Sequence, residues 1–159
     1  MSIVCRRAGP EDADRVAVLY DELYEVLNGF DLPFTLRREE LADMLSIMLK
    51  SKLCYICVAE RENGDICGFV SAGIMRIDKK LEHRGGALTG RLHDIYVEPE
   101  IQGQGTAERL LSMLEEWFKD NGAAIAETHV QIKNERSLSF FKKHGYRVMG
   151  QIVYKELQG

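Results

Sequence analysis

Proline is scarce in this chain, with 3 residues in 159; tryptophan occurs once and cysteine four times. So little proline beside 14 glycines excludes collagen-like and low-complexity sequences, and 45% hydrophobic with 29% charged residues excludes a disordered chain. Positive charge is not in surplus: 21 Lys and Arg against 25 Asp and Glu leave a net charge of −4, so no overall positive field can hold a polyanion, and no nucleic-acid partner is expected. No apolar run approaches the roughly 18 residues of a membrane span, and MSIVCRRAGPEDAD meets charge before any stretch long enough for a secretion signal. A cytoplasmic protein with no membrane partner is the expectation. A length of 159 residues suits one domain, residues 1–159, able to bury about two-thirds of its unfolded surface.

Four cysteines raise the question of a disulfide pair or a zinc site. Cys54 and Cys57 lie in CYICVAE, whose β-branched and aromatic content predicts a strand, and an odd spacing in a strand sends side chains to opposite faces. No His pair stands at i, i+4 spacing either. No metal ligands are therefore assigned, and Cys5, Cys54, Cys57 and Cys67 are read as buried reduced thiols.

Periodicity lays out the elements. Ile3 to Arg7 reads as a short strand and Gly9-Pro10 as a helix start, since Pro at the first helical position loses no needed donor. Ala13, Val16, Tyr20, Leu23 and Leu27 recur at helical spacing up to Asn28-Gly29. Leu41, Met44, Leu45, Met48 and Leu49 form the core stripe of a second helix over Leu36 to Leu49. Cys54 to Arg61 and Ile66 to Ile77 are predicted strands joined at Asn63-Gly64-Asp65, a turn sequence that supplies positive φ. Asp78 to Gly86 is a polar, glycine-ended loop or flap. A strand over Leu92 to Val97 follows, then a long helix from near Gly105 to about Asp120 with Ala107, Leu110, Leu111, Leu114 and Phe118 on its buried face. A strand over Ala124 to Ile132, a short helix over Glu135 to Lys143 and a final strand or hairpin over Tyr146 to Leu157 complete the chain.

The chemistry concentrates in Val97-Glu-Pro-Glu-Ile-Gln-Gly-Gln-Gly-Thr-Ala107: a strand end, a glycine-rich turn and a helix start. The first amides of a helix lack intrahelical partners and sit at the positive end of its dipole, so a loop without β-carbons there can wrap a phosphate. A turn that merely needs positive φ is the other reading. A P-loop is excluded because Gly105 is followed by Thr106-Ala107 with no lysine, and dinucleotide binding is disfavoured because Glu108 stands where a third glycine is needed.

What fits is Gln-x-x-Gly-x-Ala, here Gln102, Gly105 and Ala107, which resembles the acetyl-CoA motif of the GNAT superfamily of N-acetyltransferases. Asn134, Ser137, Phe140, Phe141, Gly145 and Tyr146 stand at the spacings of that family's later pattern, an Asn, a small residue, an aromatic pair and Gly-Phe or Gly-Tyr. The order of strands and helices agrees. The resemblance implies a single-domain mixed α/β fold, with a mostly antiparallel central sheet, a splayed strand pair and about four flanking helices. It implies acetyl-CoA as cosubstrate and no metal. The pyrophosphate of the coenzyme would lie on the turn Gln102, Gly103, Gln104, Gly105, Thr106 and Ala107, and its pantetheine arm on main-chain groups of Ile95, Tyr96 and Val97. Asn134, Ser137, Phe140 and Phe141 would complete the coenzyme site.

The implied activity is direct acetyl transfer to an amine, which needs a base or proton path and a way to protonate the leaving thiolate. Leu92-His93-Asp94-Ile95-Tyr96-Val97 resembles the Leu-Glu-Asp-x-x-Val strand of the polyamine acetyltransferase branch, with His93 at the place of that branch's glutamate base. A hydrogen-bonded core histidine is the alternative. His129, which in a continuous strand shares a face with Glu127 and Gln131, is the rival base. Where many members carry a tyrosine that protonates the thiolate, this chain has Phe141. That leaves Tyr146, Tyr154 or an ordered water as acid, or a thiolate that departs unassisted. The expected partner is a small-molecule amine, drawn by Asp21, Glu22, Glu25 and Asp31 near the end of the first helix unless those charges merely solvate a helix face. Acetylation of a protein amino terminus or lysine, and acyl-CoA sensing without catalysis, are the competing functions. A homodimer is admitted.

Overall fold

A computed structural model describes residues 2–158. Five strands form one sheet: β1 (Ile3–Arg7), β2 (Cys54–Arg61), β3 (Ile66–Arg76), β4 (Leu88–Val97) and β5 (Ile125–Thr128), each beside its neighbour in sequence. The first four pair antiparallel. β4 and β5 run parallel. The four α-helices are α1 (Ala13–Asn28), α2 (Arg38–Lys50), α3 (Thr106–Asp120) and α4 (Glu135–Lys143), with short 3-10 turns at Pro10–Asp12 and Pro99–Ile101. This is the mixed, mostly antiparallel sheet with four helices that the sequence implied.

Helices cover both faces, which is why β2 and β3 are buried almost without alternation. On one face Val16, Leu19, Tyr20 and Leu23 of α1 and Leu41, Leu45 and Met48 of α2 pack against Ile56, Val58, Ile66 and Phe69. On the other, Leu110, Leu111, Leu114 and Phe118 of α3 meet Cys57, Ala59, Val70, Ala72, Leu92 and Val97, and Phe141 of α4 joins them. A leucine so buried stabilises the fold by about 1.5–3 kcal/mol, so these stripes, and not helix propensity, hold the layers together. The β2–β3 turn falls at Gly64, whose φ of +87° is the left-handed value foreseen there.

Several expectations need correction. The core stripe of α2 is narrower than its periodicity indicated, because Met44 is exposed and Leu49 only partly covered. Only Cys57 and Cys67 are buried; Cys5 and Cys54 are half-exposed, all four being free thiols. Cys54 and Cys57 do lie on opposite faces of the sheet. β4 starts at Leu88, four residues before the apolar run: Gly90 belongs to it because Phe118 lies flat on its backbone, where a Cβ would sit 2.4 Å from the ring. β5 ends at Thr128 and does not reach Ile132. Tyr146 to Leu157 forms no strand: a strand needs a hydrogen-bonded neighbour, and past Tyr146 this segment makes no backbone hydrogen bond among the described residues, leaving Val148, Met149, Ile152, Val153 and Leu157 exposed. No helix among the described residues is long and apolar enough to cross a membrane.

Candidate functional site

β4 and β5 pair only from Thr89 opposite Ile125 to Leu92 opposite Thr128. The last rung is reinforced by Thr128 Oγ1, which donates to the Leu92 carbonyl at 3.1 Å, and the Arg91 guanidinium meets the Glu127 carboxylate at 2.6 Å. Beyond it β4 continues to Val97 without a partner on that side, while the chain after Thr128 leaves the sheet. The cause is a bulge. Ser71 of β3 stands opposite Asp94 and Ala72 opposite Leu92, so His93 is an extra residue, and an extra residue bends its strand away from a neighbour. The splayed pair is thus present, and Ile95, Tyr96 and Val97 line its open edge.

The edge runs into the glycine-rich turn. Gln102 folds back so that its Nε2 donates to the Val97 carbonyl at 2.8 Å, and Gln104 Nε2 donates to the Glu100 carbonyl at 3.2 Å, so both glutamines shape the loop with their side chains. Gly103 and Gly105 both have a φ of +82°, and a Cβ on either would meet nothing within 4 Å. The glycines are therefore required by backbone conformation, and the space before them is open. From Gly103 through Glu108 no backbone amide finds an acceptor among the described residues. Thr106 is 1% exposed and its hydroxyl is buried without a partner. A row of free amides at the start of a 15-residue helix is a cradle for an anion.

Asn134 caps α4, its Oδ1 accepting from the Ser137 amide at 3.2 Å. Phe140 and Phe141 follow on that helix; Phe141 is 4% exposed and packs edge-on to Tyr146. The Tyr146 hydroxyl donates to Glu115 Oε2 at 3.0 Å, and burial together with that carboxylate pushes its pKa up, so its proton is already engaged. Tyr154 lies on the exposed terminal segment.

His93 stands at the bulge, open to solvent on one side and with its Nε2 against Gly73 on the other; that partial desolvation, and then the nearby Arg91 cation, lower its pKa. His129 lies outside β5, so the strand face it was expected to share with Glu127 and Gln131 does not exist, and Glu127 is occupied by Arg91. Sequence reasoning missed Asp94. Burial raises its pKa to about 7, and the nearby Tyr20 hydroxyl of α1 partly offsets the rise. Tyr20 is also within 2.6 Å of Ser71 Oγ, so α1, β3 and β4 meet in one buried polar cluster. The available signal was an aspartate inside an apolar strand, a placement that costs free energy unless partners exist. The acids near the end of α1 do not act together either. Asp21 pairs with Arg38 and Asp31 with Lys133, while Glu22 has one buried, unpartnered oxygen and a pKa raised by burial and by Glu98.

Residues 19–146 match the profile of the Acetyltransferase (GNAT) family. An uncharacterized N-acetyltransferase of Methanocaldococcus jannaschii is 27% identical over 141 residues, which cover 89% of this chain and 59% of that protein. The L-amino acid N-acyltransferase MnaT of Escherichia coli is 29% identical over 98 residues, 62% of this chain and 54% of that one. The chain thus spans little more than half the length of these two relatives. Among solved structures, AAC(6')-Iy in complex with the bisubstrate analog CoA-S-monomethyl-acetylneamine superimposes with a TM-score of 0.78 over 100% of both chains at 18% identity, a likeness of fold. With the open strand edge, the amide cradle and a profile match over most of its length, this chain belongs to the GNAT family of acetyltransferases.

Proposed function

We propose that this protein is an acetyl-CoA-dependent N-acetyltransferase that moves the acetyl group directly to the primary amine of a small molecule. The observation that carries the proposal is the continuity of two surfaces: an unpaired β4 edge from His93 to Val97, leading into unpartnered amides from Gly103 to Glu108. A cosubstrate with an amide-bearing arm and a diphosphate suits both, since the arm can add to the edge as an extra strand and the diphosphate can accept from the amides. The space left by Gly103 and Gly105 fits that group. Acetyl-CoA supplies the activated thioester; the protein supplies orientation and proton transfer. A free amide of the β4 edge near Ile95 is suited to polarise the thioester carbonyl.

His93, kept neutral by its lowered pKa, is the proposed acceptor of the amine proton. Asp94, with a pKa of about 7, sits beside it on β4 as a second group able to hold a proton near neutral pH. Phe141 has no proton to give and that of Tyr146 is engaged by Glu115, so we assign protonation of the thiolate to solvent, which a thiol pKa near ~8.5 permits. MnaT is named for L-amino acids, and the AAC(6')-Iy complex carries an acetylneamine; both names are in keeping with a small acceptor.

The test is release of free thiol from acetyl-CoA in the presence of a panel of amines and peptides. Turnover on small amines with slower turnover on peptides supports the proposal. Saturable acetyl-CoA binding with no turnover on any acceptor would instead make the chain an acyl-CoA sensor. Gly105→Val is expected to weaken acetyl-CoA binding tenfold or more, because it forces a β-branched residue into a φ of +82° and fills the space before the amides. Unchanged affinity in a folded variant rules out the amide cradle.

A further inference from the structure

The turn that carries the amide cradle cannot hold its own shape. Gly103 and Gly105 leave its backbone conformationally free, and from Gly103 through Glu108 no amide has an acceptor among the described residues. Its fixed points lie just before it. Gln104 Nε2 donates back to the Glu100 carbonyl at 3.2 Å, Gln102 Nε2 donates to the Val97 carbonyl at 2.8 Å, and Ile101 is buried in the core under α3. The direction in which the cradle points is therefore set by where residues 98–101 are held.

A residue of another element holds them. Arg61 ends β2 and closes its hairpin with β3: its amide donates to the Asp65 carbonyl at 2.8 Å, and the Gly64 amide donates to its carbonyl at 2.9 Å. From this fixed base its guanidinium reaches three carboxylates. Nη1 lies 2.7 Å from Asp65 Oδ2 and 3.1 Å from Glu98 Oε1, and Nη2 lies 3.0 Å from Glu100 Oε1. The Arg61 and Glu98 side chains are only 14% and 12% exposed, so salt screens their attraction little. Glu98 is further fixed by its amide, which donates to the Cys67 carbonyl at 2.9 Å, and by Arg15 of α1 at 3.3 Å. A planar guanidinium with its donors in a rigid fork can set the relative positions of several carboxylates; an ammonium on a flexible stem supplies charge without that geometry. The path is continuous: hairpin to Arg61, Arg61 to Glu98 and Glu100, the Glu100 carbonyl to Gln104, and Gln104 into the cradle.

We propose that Arg61 is a positioning residue for coenzyme binding, which acts through Glu98 and Glu100 to fix the turn whose amides receive the diphosphate. The inference rests on the acetyl-CoA reading and extends it to a residue outside the cradle. Preorganising a loop that would otherwise be ordered only on binding raises affinity for the ligand without a new contact to it.

The test compares Arg61→Met, Arg61→Lys and Glu100→Ala with the parent, by calorimetric titration with acetyl-CoA and by kcat/KM with two acetyl donors, acetyl-CoA and S-acetylpantetheine, which has the arm but no diphosphate. Both Arg61 variants should bind acetyl-CoA roughly tenfold more weakly, because the ordering of the turn then opposes binding. Glu100→Ala keeps the main-chain carbonyl used by Gln104 and loses a carboxylate that is 64% exposed, so it should fold even if Arg61→Met does not; its affinity should fall about threefold. In all three, kcat/KM with S-acetylpantetheine should stay at the parent's value. Parental affinity in Arg61→Lys reduces the role to charge and overturns the proposal. So does a gain of affinity in Glu100→Ala, which would mean that its carboxylate only repels the diphosphate, and so do equal losses on the two donors, which mark general damage to the fold. If the parent binds acetyl-CoA without transferring the acetyl group, the transfer reading fails and the titrations still decide the role of Arg61; a parent that binds no acetyl-CoA ends the coenzyme reading and this proposal together.

Discussion

Asp94→Asn separates a functional carboxylate from a packing residue. In the folded chain Asp94 keeps its proton up to about pH 7, because burial disfavours the carboxylate more than the Tyr20 hydroxyl stabilises it. In the unfolded chain it titrates near ~3.9. Between those values the folded state binds more protons than the unfolded one, so stability falls as pH rises from about 4 to about 7 and the loss is complete beyond that. Asparagine has no such titration and still offers the Tyr20 hydroxyl an acceptor. Its buried NH2 group adds a cost of about 1–3 kcal/mol that does not vary with pH. The informative quantity is thus the stability of the variant relative to the parent, which should improve by about 2–3 kcal/mol between pH 5 and pH 8. At roughly 2–4 °C per kcal/mol for a chain of this size, the relative Tm should rise by roughly 5–10 °C, readable by thermal melts at a series of pH values. Tm curves that run parallel from pH 5 to pH 8 refute the burial of an acid at this site. The same variant should lose roughly 10²-fold or more in kcat/KM if Asp94 handles protons. The expected Tm shift with an unchanged rate would make Asp94 structural and leave His93 as the base.

Gly90→Ala should destabilise the protein by about 1–3 kcal/mol, because its Cβ would lie 2.4 Å from Phe118 ring atoms near the ring's attachment point, where the side chain cannot swing clear. Phe118→Leu in the same chain should recover part of that loss in thermal melts, whereas a Gly90→Ala protein melting at or above the parent contradicts the packing of α3 on β4. Arg91→Met removes the cation that helps to lower the His93 pKa and frees Glu127, and both changes raise it. With neutral His93 as the proposed base, the acidic limb of kcat/KM should move to higher pH; a limb that stays in place assigns the proton transfer to a group other than His93.

Features set by residues adjacent in the chain are legible in the amino-acid sequence alone. The turn at Asn63-Gly64, the end of α1 at Asn28-Gly29 and the start of α3 after Gly105 follow from backbone conformations that a few neighbouring residues impose, and the cradle from Gly103 to Glu108 is such a local object. Strand extent is not legible in this way, because a strand ends where its partner does: β4 begins earlier than its apolar run, β5 ends short of Ile132, and the alternating apolar residues after Tyr146 find no neighbour. The site divides along the same line. Gln102 to Ala107 can be named from spacing, but His93 becomes the extra residue of a bulge only through the register of β3, and Asp94 acquires its pKa only when α1 closes over it. Tyr20, Ser71 and Asp94 come from three elements, and Asp31 reaches Lys133 across more than half the chain. Burial, proton affinity and charge pairing depend on distances in space, which packing of the helices on the two faces of the sheet decides and sequence order does not.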